Sequence, residues 1–390
     1  MSDTSFERVK AVLNHKEPDH IPFDLGGSVL TGINRHCYVR LRKYLGLPEK
    51  EIDICDTMQQ LARVDDDVIT RLNIDVRCVD PDPPSKKGLA EDVTLEGNYY
   101  KMTDEWGIGW NMPKDNGHYF DMIRRPLKDA ESMEDIENYP WPDPVDPSRF
   151  STLKQRADKY VFEDKKAYIL GRQYAGIWET ALWMCGFEKF FCDMMLNEEF
   201  AYALMDKITE LKMQYWEKAL DTVGKNVLVV SEADDLATQS SLLCSVDLYK
   251  KVVHPYHKKL FNYIREKAQN EVHIFYHTCG AVKPLIPYLI DEGVDILNPV
   301  QVNAGDMDTK MLKREFGKDV TFWGGGVDTQ HVLPFGTPDQ VREEVKRRID
   351  DLAKDGGFVF AAVHNVQSDV SPKNFMAMWE TFQQFGAYKK

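Results

Sequence analysis

Residues 272–298, VHIFYHTCGAVKPLIPYLIDEGVDILN, contain the pattern that decides the fold. A run rich in β-branched and aromatic residues, 272–277, precedes a stretch with helical periodicity, 281–292. A second such run follows at 294–298. Strands that alternate with helices pair in parallel, because a parallel strand needs a crossover connection. The stretch therefore predicts one strand–helix–strand unit of a parallel sheet.

Runs of the same kind occur eight times along the chain, and most are followed by a helical stretch. The predicted strands are 20–24, 74–79, 167–171, 227–232, 272–277, 294–298, 320–324 and 358–364. Eight such units predict an α/β fold with a single closed (β/α)8 TIM-type barrel. A doubly wound open sheet is the alternative, although no G-x-G-x-x-G motif follows the first predicted strand.

The length beyond a minimal barrel is predicted to lie mainly in an insertion between the second and third strands. Residues 81–165 contain a predicted hairpin, 93–102, with a Gly-Asn turn. We interpret the insertion as an excursion over the barrel mouth, so that 1–390 form one domain. Near the carboxyl terminus, 337–354 predicts a helix with Thr337 as N-cap and Pro338 at its first position.

Charge and composition exclude several classes of protein. The chain has 49 basic and 63 acidic residues and a formal net charge of -14, which disfavours nucleic acid as a partner. It has no run of about 18 apolar residues, so no membrane span is expected. The amino terminus lacks the pattern of a secretory signal, and the seven cysteines are expected to be reduced thiols in a cytoplasmic protein. A homodimer is the commonest outcome for a soluble enzyme.

Chemistry in such barrels lies at the carboxyl ends of the strands, where this sequence places two zinc-binding residue types together. His277 and Cys279 are two residues apart at the end of the fifth predicted strand, so their side chains share a face. A catalytic zinc needs three protein ligands, and His364, at the end of the eighth strand, is the best third candidate. The alternative is a buried cysteine beside a histidine that is hydrogen-bonded to a neighbouring loop.

Acidic side chains at strand ends are the candidate catalytic residues. Glu232, Asp234 and Asp235 follow the fourth predicted strand, and Asp24 ends the first. A carboxylate cluster at a barrel mouth is costly unless it meets a cation, a proton or a donor-rich substrate. For Asp234 and Asp235, capping of a helix amino terminus is an equally good interpretation.

Other strand-end residues are candidates for binding substrate or cofactor. They are Arg172, Gln173, Asn298, Gln301, Gly325, Asp328 and Asn365. The glycines at 324–326 would bring backbone N–H groups close to an anionic or planar ligand, or form a turn that needs positive φ. Four apolar residues after the third strand, at helical spacing, are predicted to pack in the core: Trp178, Trp183, Met184 and Phe187.

Several motifs together resemble one family. They are KEPDHIP at 16–22, ADDLATQ at 233–239, HTCG at 277–280, GVDILN at 293–298, WGGGVD at 323–328 and VHN at 363–365, with Pro372 downstream. The chain resembles the uroporphyrinogen decarboxylase superfamily, in particular its corrinoid-dependent methyltransferases. The resemblance implies a (β/α)8 barrel, in agreement with the strand count.

Two departures from the family pattern narrow the expected activity. Porphyrinogen decarboxylases carry an R-Q-A-G-R segment near the amino terminus, where this chain has FDLGG at 23–27. Porphyrinogen decarboxylation is therefore not expected. Zinc methyltransferases of the branch resemble the chain at His277 and Cys279 but commonly supply a second cysteine where it has His364.

The resemblance implies transfer of a methyl group between a small substrate and the cobalt of a corrinoid held by a separate partner protein. The substrate would be a methoxylated aromatic, a methylamine-type compound, a thiol or tetrahydrofolate. Zinc, or a proton from Asp234 or Glu232, would stabilise the departing oxyanion. Two other functions stay open: a metal-free decarboxylase in which Asp24 or Asp235 stabilises a cationic intermediate, and a barrel that binds a corrinoid or tetrapyrrole without turnover.

Overall fold

The computed structural model describes residues 2–388, which form a parallel sheet curled into a barrel and an antiparallel sheet beside it. The strands are β1 (Ile54–Asp56), β2 (Leu61–Ala62), β3 (Val76–Val79), β4 (Glu91–Glu96), β5 (Tyr99–Thr103), β6 (Gly109–Pro113), β7 (Asp121–Arg124), β8 (Ala167–Leu170), β9 (Val229–Ala233), β10 (His273–His277), β11 (Ile296–Asn298), β12 (Thr321–Trp323) and β13 (Phe358–Val359).

Seven of these strands hydrogen-bond in the order β13-β12-β11-β10-β9-β8-β3, and every pair is parallel. Residues 20–24 lie between the two ends of this sheet. Phe23 forms a parallel bridge to Phe360, and its carbonyl accepts the N–H of Asp75 at 2.9 Å. The sheet is thereby closed on itself, and the predicted (β/α)8 barrel is confirmed.

The segment 20–24 does not form the regular strand that the sequence predicts. Pro22 has no N–H to donate, and the N–H of Phe23 donates to the Asp75 side chain at 2.8 Å instead of a backbone carbonyl. The ladder is therefore reduced to isolated bridges. The eighth predicted strand is likewise shorter than expected, since only Phe358 and Val359 are regular.

The helices pack around the barrel. They are α1 (Ser5–Leu13), α2 (Arg35–Tyr44), α3 (Asp66–Arg71), α4 (Met133–Glu137), α5 (Leu153–Asp158), α6 (Ile177–Cys185), α7 (Phe187–Leu196), α8 (Glu198–Val223), α9 (Val246–Leu248), α10 (His254–Lys267), α11 (Ile286–Glu292), α12 (Thr309–Phe316), α13 (Val332–Phe335), α14 (Pro338–Leu352) and α15 (Pro372–Phe385). In α14 the Thr337 hydroxyl accepts the Gln340 N–H and Pro338 is the first residue, as predicted. Among residues 2–388, no helix has both the length and the apolar character needed to cross a lipid bilayer.

The barrel interior has its own apolar cluster, which helix α1 supports from one end. Val9 and Val12 of α1 pack with strand residues such as Val229, Phe275 and Trp323, all fully buried. Val229 and Phe275 lie on neighbouring strands, and their side chains point into the barrel. Ala233 and His277 lie further along the same strands and point to the same side, because alternate residues of a strand share a face. The packed lower layers therefore leave the carboxyl ends of β9 and β10 to form the floor of a site.

The insertion between β3 and β8 contains a four-stranded antiparallel sheet in the order β4-β5-β6-β7. The predicted hairpin is present, with Gly97 and Asn98 between β4 and β5. Trp110 of β6 and Met122 of β7 face the same cavity as His277 at the end of β10. The insertion thus supplies walls to a site whose floor belongs to the barrel.

Candidate active site and metal centre

Three side chains with metal-binding chemistry meet at the barrel mouth. The ligand atoms of His277, Cys279 and His364 all lie within 4.8 Å of one another. His277 Nε2 is 3.4 Å from Cys279 Sγ, and the two imidazole rings are 5.3 Å apart, edge to face. The structure thus brings together the three residues that the sequence singled out.

The donor set fits zinc. Two imidazoles and one thiolate are ordinary zinc ligands, and three protein ligands leave a fourth position open for a substrate atom. A tetrahedral zinc with bonds of about 2.0 Å to nitrogen and 2.3 Å to sulfur separates the two atoms by about 3.5 Å. The observed 3.4 Å between His277 Nε2 and Cys279 Sγ agrees with that geometry.

Asn298, at the end of β11, fixes the protonation of His277. Its Nδ2 donates to the Trp323 carbonyl at 2.8 Å, which leaves its Oδ1 facing His277 Nδ1 at 2.6 Å. Because that oxygen only accepts, Nδ1 carries the proton and Nε2 presents its lone pair beside Cys279. Asn298 therefore acts by positioning a ligand.

His364 is held differently. The Asn365 backbone N–H donates to His364 Nδ1 at 2.7 Å, so a neutral ring that keeps this contact carries its proton on Nε2. Coordination through Nε2 requires that proton to be lost or the ring to turn. His364 is therefore the less preorganised of the two imidazoles.

Burial sets the charge state of the three ligands. It lowers the pKa of His277 and of His364 to about 4 in each case, so both rings are neutral, as a metal ligand must be. Burial, with the nearby Asp235 and Glu179 carboxylates, raises the pKa of the Cys279 thiol well above its usual range. A bound cation would displace the thiol proton and offset the desolvation of the thiolate.

Local backbone geometry allows this convergence. The chain turns directly after Cys279 at Gly280, where φ is +90° and a Cβ would lie 2.4 Å from the Thr238 carbonyl oxygen. Only glycine fits that conformation and that approach. The Gly280 N–H donates to the Gln301 side chain at 2.6 Å, which anchors the turn to the next strand-end loop.

Two cavities adjoin the ligand cluster. An inner cavity of about 380 Å³ includes His277 and His364 in its wall, and an outer cavity of about 520 Å³ includes Cys279 and His364. The outer cavity is lined largely by uncharged polar residues, Gln239, Gln301 and Gln330 among them. The cluster therefore lies where two compartments meet.

Three carboxyl groups line the inner cavity, those of Asp121, Glu179 and Asp235. Asp235 accepts the Cys279 backbone N–H at 2.8 Å, and Glu179 lies in the first turn of α6. Burial, followed by the charges of Asp235 and Asp234, raises the pKa of Glu179 well above its usual range. Its surroundings therefore favour the protonated form of Glu179. Glu179 was not predicted from the sequence, although a carboxylate in the first helical turn after a strand end is a recognisable signal.

Glu232 is not brought to the mouth. It alternates with the inward-facing Ser231 and Ala233, so it points outward towards α8. There its carboxylate pairs with Lys212 Nζ at 2.9 Å and accepts the indole N–H of Trp216 at 2.6 Å. A buried ion pair of this kind links strand to helix.

Asp234 caps a helix, the alternative that the sequence left open. Its carboxylate accepts the N–H groups of Ile177 and Trp178, at 3.0 and 3.2 Å, at the amino terminus of α6. It also contacts His257 Nε2 at 2.7 Å, and Glu292 contacts His257 Nδ1 at 3.3 Å. Asp234 thereby positions α6, which carries Glu179.

Asp24 lies inside the barrel, away from both cavities. It accepts the indole N–H of Trp323 and the Gly27 N–H, each at 2.8 Å, and is 2% exposed. Burial raises the pKa of Asp24 to about 6. These contacts tie the first strand-end loop to β12.

The candidate binding residues separate into four groups. Arg172 lines the inner cavity, and Gln301 and Asn365 line the outer one. Asn298 orients His277, as described above. The remaining three, which line neither cavity, are Gln173, Asp328 and Gly325.

Gly325 supports the turn interpretation of the glycine triplet. Its φ is +80°, and a Cβ there would lie 2.7 Å from the Val300 side chain. Asp328 accepts the Gln330 N–H at 2.7 Å within the same loop. The loop after β12 is thus built by tight backbone geometry and local hydrogen bonds.

Comparison with known proteins identifies the family. A model of the uroporphyrinogen decarboxylase (URO-D) family matches residues 103–385. The chain belongs to the URO-D family. It is therefore an enzyme of the URO-D superfamily, and no curated protein sequence matches it.

One solved structure supports the fold of this URO-D family member. A methyltransferase from Methanosarcina mazei aligns with a TM-score of 0.63 at 17% identity, over 98% of this chain and 99% of that chain. Native xylanase 10B from Thermotoga maritima aligns with a TM-score of 0.38 at 9% identity, over 60% and 79% of the two chains. At 17% identity the first alignment supports a shared fold.

The aromatic wall of the URO-D site was not predicted from the sequence. Trp183 was expected in the core, but its ring lines the inner cavity edge to face with Trp110, 5.6 Å between centroids. The core prediction was also wrong for Phe187, which is 46% exposed, and correct for Trp178 and Met184. Helical spacing alone does not distinguish a side chain facing core from one facing a cavity.

Proposed function

We propose that the chain is a methyltransferase that moves a methyl group between a small substrate and the cobalt of a corrinoid carried by a partner protein, with zinc assistance. The observation that carries this proposal is the His277, Cys279 and His364 cluster between an aromatic cavity and an outer polar one. The Methanosarcina mazei methyltransferase of similar fold gives independent support.

His277, Cys279 and His364 would hold the zinc, with Asn298 orienting His277. When bound, zinc supplies a Lewis acid that stabilises negative charge on the atom that exchanges the methyl group. The surrounding residues bind and orient the substrate in the inner cavity and keep bulk water away from it. Such positioning is worth several kcal/mol when the reacting atoms are aligned.

Glu179 is the proton donor in this proposal. Its carboxyl faces the inner cavity, where burial and the neighbouring carboxylates favour its protonated form, so it would donate to a departing oxygen. Asp234 and Glu232, which the resemblance offered for this role, are engaged with α6 and with Lys212. Their part is to position the elements around the site.

The outer cavity is the side from which the partner's corrinoid would approach. It reaches Cys279 and His364, and its rim is formed by amide and hydroxyl side chains. In-line transfer would require the cobalt to face the methyl carbon directly, on the side opposite the atom that releases it.

A reconstituted transfer reaction tests the proposal. The chain is incubated with a corrinoid protein in the cobalt(I) state and, separately, a methoxylated aromatic, a methylamine, a methyl thioether and methyltetrahydrofolate, while the cobalt absorbance is followed. One donor should methylate the cobalt, and Cys279→Ala should abolish the change. Cys192→Ala is the matched control, because Cys192 is exposed on α7.

Two results would contradict the proposal. One is a folded, zinc-loaded chain that methylates cobalt from none of these donors. The other is a Cys279→Ala variant that retains full activity, which would remove the thiolate from the mechanism.

A further inference from the structure

Tyr119 and His364 form the partition between the two cavities. Within residues 2–388, these two side chains alone line both the inner and the outer cavity. His364 comes from the barrel and belongs to the ligand cluster. Tyr119 comes from the insertion, in the loop between β6 and β7, and is 41% exposed. A direct passage from one cavity to the other is therefore bounded by a metal-ligand candidate on one side and by Tyr119 on the other.

The loop that carries Tyr119 is anchored at its two ends. The Lys114 N–H and the Phe120 N–H each donate to a backbone carbonyl of another segment at 2.9 Å. In the part of the chain that the structure describes, no backbone hydrogen bond joins 115–119 to a neighbouring element. The loop therefore has two fixed ends and can move between them without disturbing the sheet.

Two side-chain hydrogen bonds form a latch between this loop and the loop that follows β13. The Tyr119 hydroxyl donates to Gln367 Oε1. His118 Nδ1 lies 3.0 Å from Ser368 Oγ, within hydrogen-bond distance. Gln367 is oriented for its contact, because its amide N–H donates to the Asn365 carbonyl at 3.0 Å and its oxygen is left to accept. Both latch contacts are exposed to solvent, where water competes for the same groups, so the latch is easily broken.

The proposed transfer requires the partition to open. The substrate lies in the inner cavity and the partner's cobalt approaches from the outer one, so the cobalt must meet the methyl carbon across the partition. His364 is fixed when it coordinates the metal. Tyr119 is held by exposed hydrogen bonds, so it is the side chain that gives way.

We infer that Tyr119 is a gate between the two cavities, closed by the latch to Gln367 and opened for methyl transfer. The inference rests on the proposed function and adds a conformational step to it. In the closed state the ring separates the inner cavity from the outer one and keeps water away from the substrate. In the open state the partner's corrinoid reaches the methyl group.

Labelling of a reporter thiol in the inner cavity tests the inference without any partner protein. Met122→Cys places this thiol on β7, in the wall of the inner cavity, and Cys192→Ala removes an exposed native thiol from the same parent chain. The zinc-loaded parent is treated with a low concentration of methyl methanethiosulfonate, and the peptide that contains residue 122 is quantified by mass spectrometry. At low reagent concentration the labelling rate is proportional to the fraction of chains with an open gate.

Weakening the latch should speed the labelling. Tyr119→Phe and Ser368→Ala each remove one latch contact and keep the ring. Each should therefore raise the labelling rate about 2- to 10-fold, the range for one hydrogen bond. Tyr119→Ala removes the ring itself and should raise the rate further. Hydrogen exchange of the amides of 115–119 should rise in the same variants, because it reports the same opening.

Tyr99→Ala is the matched control. Tyr99 lies on β5 of the same insertion sheet and is similarly exposed, at 44%. Its removal should leave the labelling rate at the parent value. Zinc content and thermal unfolding establish that each variant keeps the metal centre and the fold.

The outcomes separate this inference from the proposed function. A parent that labels as fast as Tyr119→Ala, or a rate that neither Tyr119→Phe nor Ser368→Ala changes, would overturn the inference. An equal acceleration by Tyr99→Ala would also overturn it, because general loosening of the insertion would then explain the labelling. Slow labelling that the three gate variants accelerate supports the inference even if no donor methylates cobalt, a result that would count against the proposed function alone.

Discussion

Replacing Asn298 with alanine should weaken zinc binding, although Asn298 does not belong to the ligand set. The substitution removes the oxygen that accepts His277 Nδ1–H at 2.6 Å, and it also removes the amide N–H that donates to Trp323. Without that acceptor, the His277 ring turns more freely and its Nε2 is a weaker base. Asn298 is fully buried, so bulk solvent does not replace the lost partner.

The magnitude follows from the role of such partners in metal sites. Loss of the hydrogen-bond acceptor behind a histidine ligand lowers metal affinity about 10- to 100-fold. That range equals roughly 1.4 to 2.7 kcal/mol of binding free energy. Asn298→Asp is the matched comparison, because it keeps an acceptor oxygen for His277 and loses the same N–H to Trp323.

The assay is competition for zinc against a chromophoric chelator at fixed neutral pH. Asn298→Ala should lose affinity within the range given above, and Asn298→Asp should stay near the wild type. Circular dichroism and thermal unfolding establish that both variants fold. Equal affinities of wild type and Asn298→Ala would refute the reasoning, as would an Asn298→Asp variant as weak as Asn298→Ala.

Three further predictions concern the structure around the site. Glu232→Gln leaves the Lys212 ammonium buried without its charged partner. Urea titration should therefore show a free energy of unfolding lower by about 3 to 5 kcal/mol, with zinc affinity unchanged. An unaltered unfolding curve would contradict this prediction. Gly280→Ala should lower the free energy of unfolding by at least about 1 to 3 kcal/mol and should also lower zinc affinity. Gly88→Ala is the control, because Gly88 also has a positive φ but lies in open space, and it should keep the zinc affinity. Burial alone would lower the pKa of His257, but its two flanking carboxylates raise it to about 10. The protonated His257 therefore stabilises the folded chain, and this stabilisation is complete below the unfolded-state pKa of about 6.5. It is lost as pH rises through about 10, by up to about 1.4 kcal/mol per pH unit. His257→Gln should lack this slope in melts recorded across that range, and identical slopes would argue against the ion pairs.

The barrel could be predicted because its signal is local. Each strand is a short apolar run, and most are followed by a helix with its own stop and start signals, as at Thr337 and Pro338. The exception was 20–24, where Pro22 and the Asp75 side chain interrupt the ladder. That contact joins residues 52 positions apart and leaves no mark on the local pattern.

The metal ligands could be predicted for a similar reason. His277 and Cys279 share a face by strand alternation, and His364 ends the strand that meets the first when the sheet closes. The acids were harder to place. Strands of a parallel sheet are apolar on both faces, so the sequence around Glu232 does not show which face is inward.

The cavity walls were beyond reach from pattern alone. Trp110 and Phe120 come from the insertion, whose docking over the mouth depends on contacts with α6 and the barrel loops. Asp234 caps α6 from a strand more than 50 residues further along the chain, an arrangement set by tertiary packing. Long-range docking of this kind has no periodic signature in the sequence.

X-ray absorption at the zinc K-edge tests the central claim most directly, because it reports the atoms that surround the metal. The purified chain should carry about one zinc with one sulfur neighbour near 2.3 Å and two imidazole nitrogens near 2.0 to 2.1 Å. In Cys279→Ala the sulfur shell should disappear, and in His364→Ala one imidazole shell should be lost. A chain that binds no zinc under metal-replete conditions, or a spectrum without sulfur, would contradict the account.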